Sequence, residues 1–406
     1  MQVIEKPIQI ALEEKYGAHN YHPLPVVLSR GSGVYVWDTD QNRYLDFLSG
    51  YSALNQGHCH PAIIEALTQQ AQRLTLTSRA FYNDRLGPYE KFLCTYFGYD
   101  KLLPMNTGVE AVETAIKLCR KWAYKHKKIA ENNAVVIVCE GNFHGRTSTV
   151  ISFSSDADSK HQFGPYMPGF VTIPYNDIAS LTKALDDPRV AGFLVEPIQG
   201  EAGVIVPSEG YLSAAYEACQ RANVLFIADE IQTGLGRTGA RLACDHEAVR
   251  PDILILGKAL SGGTLPVSAV LADDEIMLVI EPGQHGSTYG GNPLACAVAE
   301  ASITALEKEN MANNAYEMGI RFRKGLEKIN SPHLAIIRGK GLMNAVVIQH
   351  SDKEAAWTLC IAMMQNGLLA KPTHGDKIRF APPLVITPEQ IDEALAIIEK
   401  SLTVLG

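Results

Sequence analysis

Val224-Leu-Phe-Ile-Ala-Asp229-Glu230 is a short apolar run that ends in two acidic residues. A second run of this kind, Asp252-Ile-Leu-Ile-Leu-Gly-Lys258, ends in a lysine and is followed at once by small residues. Both runs are rich in branched apolar side chains and are too short for a typical helix, so they predict buried parallel strands. The chain thus places an acid and a lysine beyond the carboxyl ends of two strands.

Further apolar runs extend this pattern to either side. Ala134–Cys139 and Gly192–Val195 have the same character, and Gly108–Trp122 and Gly210–Ala222 show helical periodicity between such runs. Strands that alternate with helices indicate an α/β domain with a mainly parallel sheet. In such sheets, binding and catalytic residues gather beyond the carboxyl ends of the strands.

The two ends of the chain have a different pattern. Val34–Asp38 and Arg43–Phe47 flank turn residues and predict a hairpin. From about residue 311, helices mix with short strands such as Ala345–Ile348 and Lys377–Phe380. We therefore predict three parts: an N-terminal segment (1–50), a large domain (51–310) and a smaller α+β domain (311–406).

Composition excludes several classes of protein. Of the 406 residues, 46% are hydrophobic and 20% are charged, which is ordinary for a folded globular protein. The net charge of −8 argues against a nucleic-acid partner, and the basic run from Arg120 to Lys128 is interpreted as a solvated helix end. The eight cysteines are scattered without a CxxC pair, which favours a reducing compartment.

The sequence also bears on localisation and metal binding. No apolar run approaches the roughly 20 residues of a membrane span, and Met1–Glu14 lacks a signal or transit pattern. We expect a cytoplasmic protein without a membrane partner, although a matured organellar enzyme would look the same. In Gly57-His-Cys-His-Pro61, adjacent residues do not converge on one metal. This segment predicts a turn before a helix, and no metal site is expected.

Lys258 is the first candidate for catalysis. A buried ammonium without a partner costs several kcal/mol, so a lysine beyond a buried strand either serves a function or snorkels to water. Asp229 favours the functional interpretation, because a lysine that forms a Schiff base and an acid that faces a pyridinium nitrogen recur in sites for pyridoxal phosphate. The carboxylate keeps the ring nitrogen protonated, and the amine holds the aldehyde and moves a proton.

The phosphate of such a cofactor needs an anion site. Met105–Glu110 opens the predicted helix, where free backbone N–H groups bind phosphate, and Gly108 permits a close approach. His285–Gly291 is a second loop of small residues, with hydroxyls that include Thr288. Phe143 follows the strand Ala134–Cys139, and either stacking on a planar ring or packing in the core would explain it.

One competing motif points to a dinucleotide. Gly234-Leu-Gly-Arg-Thr-Gly239 matches the glycine fingerprint, but three residues separate it from a strand that ends in two acids. In the fingerprint the glycines form the strand-to-helix turn itself, and acids would repel a pyrophosphate. We interpret the segment as a glycine-rich loop.

Together these residues resemble the class III pyridoxal-phosphate aminotransferases of fold type I, over nearly the whole chain. The strongest likeness runs from Leu225 to Gly263, which carries the acid strand and the lysine in order. Within the family the chain is most similar to the branch that acts on ornithine. Three segments carry that likeness: Tyr16–Pro25, Tyr51–His60 and Gln199–Val204.

The resemblance implies roles around the cofactor. Lys258 would form the Schiff base, and Asp229 would face the ring nitrogen. The other implied contacts are Gln232 to the ring hydroxyl, Phe143 on the ring face, Gly108 and Val109 on the phosphate through their N–H groups, and Glu196 close by. Thr288 would reach the cofactor phosphate of a neighbouring subunit, so a homodimer or a higher homo-oligomer is expected.

The resemblance also implies the substrate contacts. Arg379 would bind the α-carboxylate of 2-oxoglutarate or glutamate, as suits a guanidinium fork. Glu201 would neutralise Arg379 while L-ornithine reacts, because that substrate arrives with its δ-amine towards the cofactor. Tyr21 and Arg146 would hold ornithine's α-carboxylate, and Tyr51 would help to select ornithine. The alternative for Arg379 and Glu201 is an unrelated surface ion pair.

The implied reaction transfers the δ-amine of L-ornithine to 2-oxoglutarate. Its products are glutamate and glutamate 5-semialdehyde, which cyclises to pyrroline-5-carboxylate, so roles in proline biosynthesis and arginine metabolism are expected. Three alternatives stay open at this point. They are the same chemistry on N-acetylornithine, 4-aminobutyrate or lysine, a nicotinamide oxidoreductase, and a cofactor-binding protein without catalysis.

Overall fold

The structure is a computed structural model that describes residues 7–406. Thirteen right-handed α-helices form within that range. They are α1 (Ile8–Tyr16), α2 (Pro61–Ala71), α3 (Leu86–Phe97), α4 (Gly108–Trp122), α5 (Ser148–Ser152), α6 (Ala157–Lys160), α7 (Ile178–Leu185), α8 (Tyr211–Arg221), α9 (Asp274–Met277), α10 (Pro293–Lys308), α11 (Met311–Ile329), α12 (Ala355–Gln365) and α13 (Pro388–Leu402). Ala123–Lys127 continues α4 as a π-helical turn.

The strands of the described chain form three sheets. They are β1 (Leu28–Ser32), β2 (Tyr35–Asp38), β3 (Arg43–Asp46), β4 (Lys101–Met105), β5 (Val135–Cys139), β6 (Phe170–Ile173), β7 (Val190–Val195), β8 (Leu225–Asp229), β9 (Ile253–Leu256), β10 (Ser268–Ala272), β11 (Leu334–Lys340), β12 (Met343–Ile348), β13 (Leu368–Leu369), β14 (Lys371–Thr373) and β15 (Lys377–Phe380).

The central sheet has seven strands in the order β4-β10-β9-β8-β7-β5-β6. Strands β9, β8, β7, β5 and β6 are parallel, and β10 runs antiparallel to both of its neighbours. The mainly parallel sheet predicted from the apolar runs is therefore confirmed. All residues of β5, β7, β8, β9 and β10 are buried, which explains why these strands are apolar except for Asp229 at the end of β8 and Ser268 at the start of β10.

Helices cover both faces of the central sheet. On one face α4 packs its apolar stripe, including Val112, Ile116 and Leu118, against β7, β9 and β10. On the other face α8 buries Leu212 and Cys219 against β7 and β8. This layering closes the sheet on both sides and leaves its carboxyl edge as the place where side chains can meet a ligand.

Two smaller sheets combine residues from the ends of the chain. The predicted hairpin forms as β2 and β3, and the short strand β13 joins it in parallel from far along the chain. The predicted C-terminal strands lie in an antiparallel sheet, β11-β12-β15-β14, beside α11 and α12, on which α13 packs. The division at residues 50 and 310 stays a prediction, and residues 1–6 of its first segment lie outside the described range.

The segments that suggested other sites have simple structures. Residues 231–240, with the glycine motif, form turns without a helix, as the loop interpretation predicts. His60 precedes Pro61 at the start of α2, in agreement with the predicted turn. Across residues 7–406, no helix has the length and apolarity needed to cross a bilayer, and no three potential ligands cluster as a metal site would require.

A left-handed turn follows β3. Ser49, Gly50, Tyr51 and Ser52 have φ of 50°, 55°, 59° and 70°. Left-handed backbone costs an L-residue about 1–2 kcal/mol. Asp46 offsets part of this cost, because its Oδ1 accepts hydrogen bonds from the N–H groups of Leu48 (2.8 Å) and Ser49 (2.9 Å). The strained turn carries Tyr51, one of the predicted substrate residues.

Candidate active site

The candidate site lies where strands of the central sheet reach their carboxyl ends. A cavity of about 250 Å³ opens there. Its lining comes from the segments that follow β4, β5, β7, β8 and β9, and consists of Gly108, Val109, Phe143, His144, Gly145, Glu196, Asp229, Ile231, Gln232, Thr233 and Lys258. The fold thus brings together seven of the residues predicted from the sequence, which lie up to 150 positions apart in the chain (258 − 108 = 150).

Lys258 begins a 3₁₀ turn directly after β9. Its φ is +44°, an uncommon value for a residue with a side chain, which costs on the order of 1–3 kcal/mol. Burial lowers the pKa of its ammonium, and the positive charge of Arg379 acts in the same direction, although the carboxylate of Glu201 opposes it. A larger fraction of a lysine in this setting is neutral than of one in water, and the neutral amine is the form that can attack a carbonyl or accept a proton.

Asp229 and His144 form a buried pair. His144 Nδ1 lies 2.6 Å from Asp229 Oδ2, and Asp229 Oδ1 accepts a hydrogen bond from the Ile231 N–H at 3.1 Å. Burial disfavours the charged ring, but the hydrogen bond and charge of Asp229 outweigh it and raise the pKa of His144. His144 Nε2 has no hydrogen-bond partner among the described residues. The sequence interpretation assigned His144 no role, because nothing along the chain links it to an acid 85 positions away.

The start of α4 offers an anion site. Thr107 and Glu110 form a capping box, in which each side chain accepts the other residue's backbone N–H. Within residues 7–406, the N–H groups of Gly108 and Val109 have no hydrogen-bond acceptor. Unpaired N–H groups at the start of a fifteen-residue helix favour a phosphate.

Glu196 connects two loops at the cavity wall. Its Oε1 accepts a hydrogen bond from the N–H of Phe143 at 2.8 Å, and its Oε2 accepts one from the N–H of Gly200 at 3.3 Å. Burial raises the pKa of Glu196 to about 7, because it outweighs the stabilising charge of His144 and both hydrogen bonds. One carboxyl group therefore fixes both the backbone of Phe143 and the loop that carries Glu201.

Beside the cavity lies an arginine–carboxylate pair. Arg379 Nη1 lies 2.6 Å from Glu201 Oε1, and the two side chains are 8% and 22% exposed. Burial alone would raise the pKa of Glu201, but the charges of Arg379 and Lys258 outweigh it and lower that pKa. The Arg379 guanidinium carbon lies 5.2 Å from the centre of the Tyr51 ring. Gln232, which lines the cavity, donates a hydrogen bond to the carbonyl of Tyr51 at 3.3 Å. This bond connects the cavity wall with the residue that contacts Arg379.

Six predicted residues are absent from the cavity lining: Arg379, Glu201 and Tyr51, which lie beside it, and Tyr21, Arg146 and Thr288. Tyr21 is 69% exposed, and the ammonium of Lys371 lies 5.9 Å from its ring centre. The guanidinium carbon of Arg146 lies 5.6 Å from the Phe143 ring centre, and its Nη1 donates to Ser159 at 3.2 Å. Thr288 is exposed in the loop before α10. The structure thus places Tyr21 beside Lys371, Arg146 beside Phe143 and Thr288 at the surface.

These features fit the predicted cofactor. The cavity offers unpaired N–H groups for a phosphate, a buried acid for a ring nitrogen and a lysine amine for an aldehyde. Gly145 has φ of +123°, and a Cβ atom there would lie 2.4 Å from Val109, so the backbone at this wall depends on glycine. The unpartnered His144 Nε2 is a further buried polar atom beside the cavity.

Comparisons with known proteins agree with this geometry. The family described as aminotransferase class-III matches residues 16–402. The mitochondrial ornithine aminotransferase of Rattus norvegicus is 60% identical over 390 residues, covering 96% of this chain and 89% of the rat protein. Two solved structures are also similar to this chain over nearly their whole length.

The first is an ornithine aminotransferase from Toxoplasma gondii, described with pyridoxal phosphate at partial occupancy in its active site. It has a TM-score of 0.96 and 51% identity, covering 98% of this chain and 94% of that one. An acetylornithine aminotransferase from Elizabethkingia anophelis has a TM-score of 0.90 and 56% identity, covering 97% of this chain and 98% of that one.

Proposed function

The chain belongs to the aminotransferase class-III family, and on that premise we propose that it transfers the δ-amine of L-ornithine to 2-oxoglutarate. The products are glutamate and glutamate 5-semialdehyde, which cyclises to pyrroline-5-carboxylate. The enzyme is a pyridoxal-phosphate-dependent aminotransferase. The observation that carries the substrate assignment is the 2.6 Å pair of Arg379 and Glu201 beside the cavity that holds Lys258.

The lining of the cavity supports the proposed cofactor-binding roles. When bound, pyridoxal phosphate supplies an aldehyde that receives the amino group and a ring that accepts electrons from the reacting carbon. Gly108 and Val109 hold its phosphate through their N–H groups. Phe143 covers the ring face, Gln232 donates to the ring hydroxyl, and Glu196 fixes the Phe143 loop.

Asp229 and Lys258 perform the acid–base work. The Asp229 carboxylate holds a proton on the ring nitrogen, and His144 supports the charge of that carboxylate through their 2.6 Å contact. The Nζ atom of Lys258 would move a proton off the reacting carbon of the amine donor in one half-reaction and would move a proton onto the reacting carbon of the acceptor in the other. Its lowered pKa keeps more of this amine in the neutral form that can accept the proton.

Arg379 and Glu201 explain how one site accepts two different substrates. While they are paired, the guanidinium is neutralised, so the site does not attract an α-carboxylate beside the reacting amine. Ornithine then reacts through its δ-amine. When 2-oxoglutarate enters, its α-carboxylate replaces Glu201 on the guanidinium fork. The exchange of one carboxylate for another conserves the charge balance of the buried arginine.

We propose that aromatic and cationic side chains near Arg379 and Glu201 select the amine donor. Tyr21 and Arg146 hold ornithine's α-carboxylate, and Tyr51 limits the length of the donor. The second candidate is the same reaction on N-acetylornithine, which the likeness to the Elizabethkingia anophelis enzyme favours. The acetyl group would remove the charge of the α-amine. The two donors therefore differ in charge and size at the end that is proposed to bind beside Tyr21.

Assembly and setting are further proposals. We propose a homodimer in which Thr288 reaches the neighbouring subunit's cofactor phosphate, and its exposed loop position supports this. We also propose a cytoplasmic enzyme of proline biosynthesis and arginine metabolism, and a division into residues 1–50, 51–310 and 311–406. All eight cysteines are free, which supports a reducing compartment.

The test is a half-reaction followed by absorbance of the bound cofactor. The holoenzyme is mixed separately with L-ornithine, N-acetylornithine and 4-aminobutyrate. We expect L-ornithine to convert the cofactor to its amine form fastest and to yield pyrroline-5-carboxylate. A faster reaction with N-acetylornithine would establish the second candidate. A preparation that binds no pyridoxal phosphate would contradict the roles of Lys258 and Asp229.

A further inference from the structure

Two cations face each other across a pair of strands at the substrate side. In the antiparallel pair β14–β15, Lys371 lies directly opposite Arg379. Side chains of directly opposite residues lie on the same face of a sheet, with Cβ atoms about 5 Å apart, and like charges there repel. Such a pair is expected only where the surroundings compensate for the repulsion or where a ligand does so.

Within the described chain, a carboxylate neutralises one of the two cations but not the other. Glu201 pairs with Arg379 at 2.6 Å. In the part of the chain that the structure describes, no carboxylate forms an ion pair with Lys371. Its recorded partner is the ring of Tyr21, whose centre lies 5.9 Å from the ammonium. Burial, and then the charge of Arg379, lower the pKa of Lys371, which agrees with a cation that lacks a counter-charge.

We propose that Lys371 is a specificity-determining residue that binds the substrate carboxylate farthest from the reacting carbon. Its place beside the exposed Tyr21 puts the uncompensated charge at the open end of the substrate side. The inference rests on the proposed function and adds a residue to it.

The chemistry of the two substrates explains why one cation serves both. L-ornithine reacts at its δ-amine, so its α-carboxylate is the distant one. 2-Oxoglutarate reacts at its C2 ketone, so its γ-carboxylate is the distant one. A fixed ammonium next to Tyr21 attracts a carboxylate at that end in both half-reactions, whether or not Glu201 covers Arg379.

A purely structural role makes a different prediction. Lys371 is half-buried on β14, which packs against α12, so loss of the side chain would weaken that packing for every substrate alike. A carboxylate-binding role affects only substrates that carry the distant carboxylate. Donors with and without that group therefore separate the two roles.

The experiment compares L-ornithine with putrescine, which has the same chain and amines but no carboxylate. Half-reactions of the holoenzyme are followed by cofactor absorbance for the wild type, Lys371→Met and Lys371→Arg. We expect Lys371→Met to raise the apparent Kd for L-ornithine about tenfold, with a nearly unchanged limiting rate and no loss with putrescine. Lys371→Arg should restore most of the affinity for L-ornithine. The matched control is Lys377→Met, because Lys377 lies on the same sheet but has its own partner, Asp376, at 2.5 Å.

Each other outcome overturns the inference. Equal losses with both donors would assign Lys371 a structural role, and an unchanged Kd for L-ornithine would show that its charge is not used. An equal effect in Lys377→Met would indicate a general field of positive charge instead of a contact. A wild type inactive with L-ornithine would overturn the proposed function as well, whereas an active wild type with an unaffected Lys371→Met variant overturns this inference alone.

Discussion

His144 Nδ1 lies 2.6 Å from Asp229 Oδ2, and the two side chains are 0% and 5% exposed to solvent. The pair joins the segment that follows β5 to the last residue of β8. His144 supports the Asp229 carboxylate, which is proposed to hold the proton of the cofactor ring. The charge balance of this pair therefore affects both cofactor binding and turnover. A buried carboxylate that loses such a partner is left with an uncompensated desolvation cost.

Replacement of His144 by glutamine should lower turnover by roughly ten- to a hundredfold, since a hydrogen bond to a charged group contributes about 1.5–3 kcal/mol. Stability gives a second measurement. The pKa of His144 is raised in the folded chain, so its charged form stabilises the fold below the ordinary histidine pKa, and this contribution is lost as pH rises through the raised value. The melting temperature of His144→Gln should therefore fall furthest behind the wild type at acid pH. A difference independent of pH would contradict a titrating His144.

Glu196 gives the same sign of pH dependence as His144, over a pH range that starts lower. Its folded pKa of about 7 lies above the ordinary value of 4.5, so the folded chain holds this proton more tightly than the unfolded chain between those values. The wild type should lose stability relative to Glu196→Gln as pH rises from about 4.5 to about 7, and the difference should stay constant above that. Melting temperatures of both proteins across this range provide the measurement. If the melting temperature of the wild type instead rose relative to that of Glu196→Gln over this range, the carboxylate would be better solvated than its burial indicates.

Removal of Arg379 should separate the two half-reactions. Arg379→Gln is expected to slow the reaction with 2-oxoglutarate by about a hundredfold or more and that with L-ornithine by less than tenfold, because only the first substrate uses the guanidinium fork. Single-turnover absorbance measures both rates. Arg321→Gln is the control, since Arg321 pairs with Asp392 on an exposed face. Equal losses in both half-reactions would refute the assignment.

Removal of Glu201 should act in the reverse direction. Without its carboxylate, Arg379 is no longer neutralised, so Glu201→Ala should react faster with glutamate relative to L-ornithine by about tenfold or more. The ratio of the two half-reaction rates is the quantity to compare. Glu393→Ala, which removes a surface partner of Arg43, is the matched control. An unchanged ratio would mean that Glu201 does not mask the arginine.

The sequence predicted the parts of the fold that depend on local pattern. Helix α4 has the predicted bounds, Gly108–Trp122, because an apolar stripe and the capping box of Thr107 and Glu110 mark it. The apolar run before Asp229 forms strand β8, and Asp229 itself still pairs with Ile255 of β9. The comparisons confirm the mainly parallel α/β architecture and the cofactor, and the site roles remain proposals.

Features that depend on distant contacts were not predictable in this way. An apolar run does not reveal strand direction, so the antiparallel course of β10 carried no signal. The joining of β13 to the N-terminal hairpin and the meeting of His144 with Asp229 are set by the closed fold. The positive φ of Lys258 is likewise imposed by its surroundings, because lysine itself does not favour it.

The left-handed turn at Ser49–Ser52 has a consequence for any attempt to redesign the donor preference. Residue 51 contacts the arginine that is proposed to sort the substrates, so it is the obvious position to randomise. Its backbone conformation, however, penalises β-branched side chains most, while glycine and asparagine tolerate it. A mutant library at this codon would therefore be filtered first by chain conformation and only afterwards by catalysis. Variants at residue 51 that are poorly expressed would reflect the cost of the backbone conformation. They should be counted separately from folded variants that have lost donor selectivity.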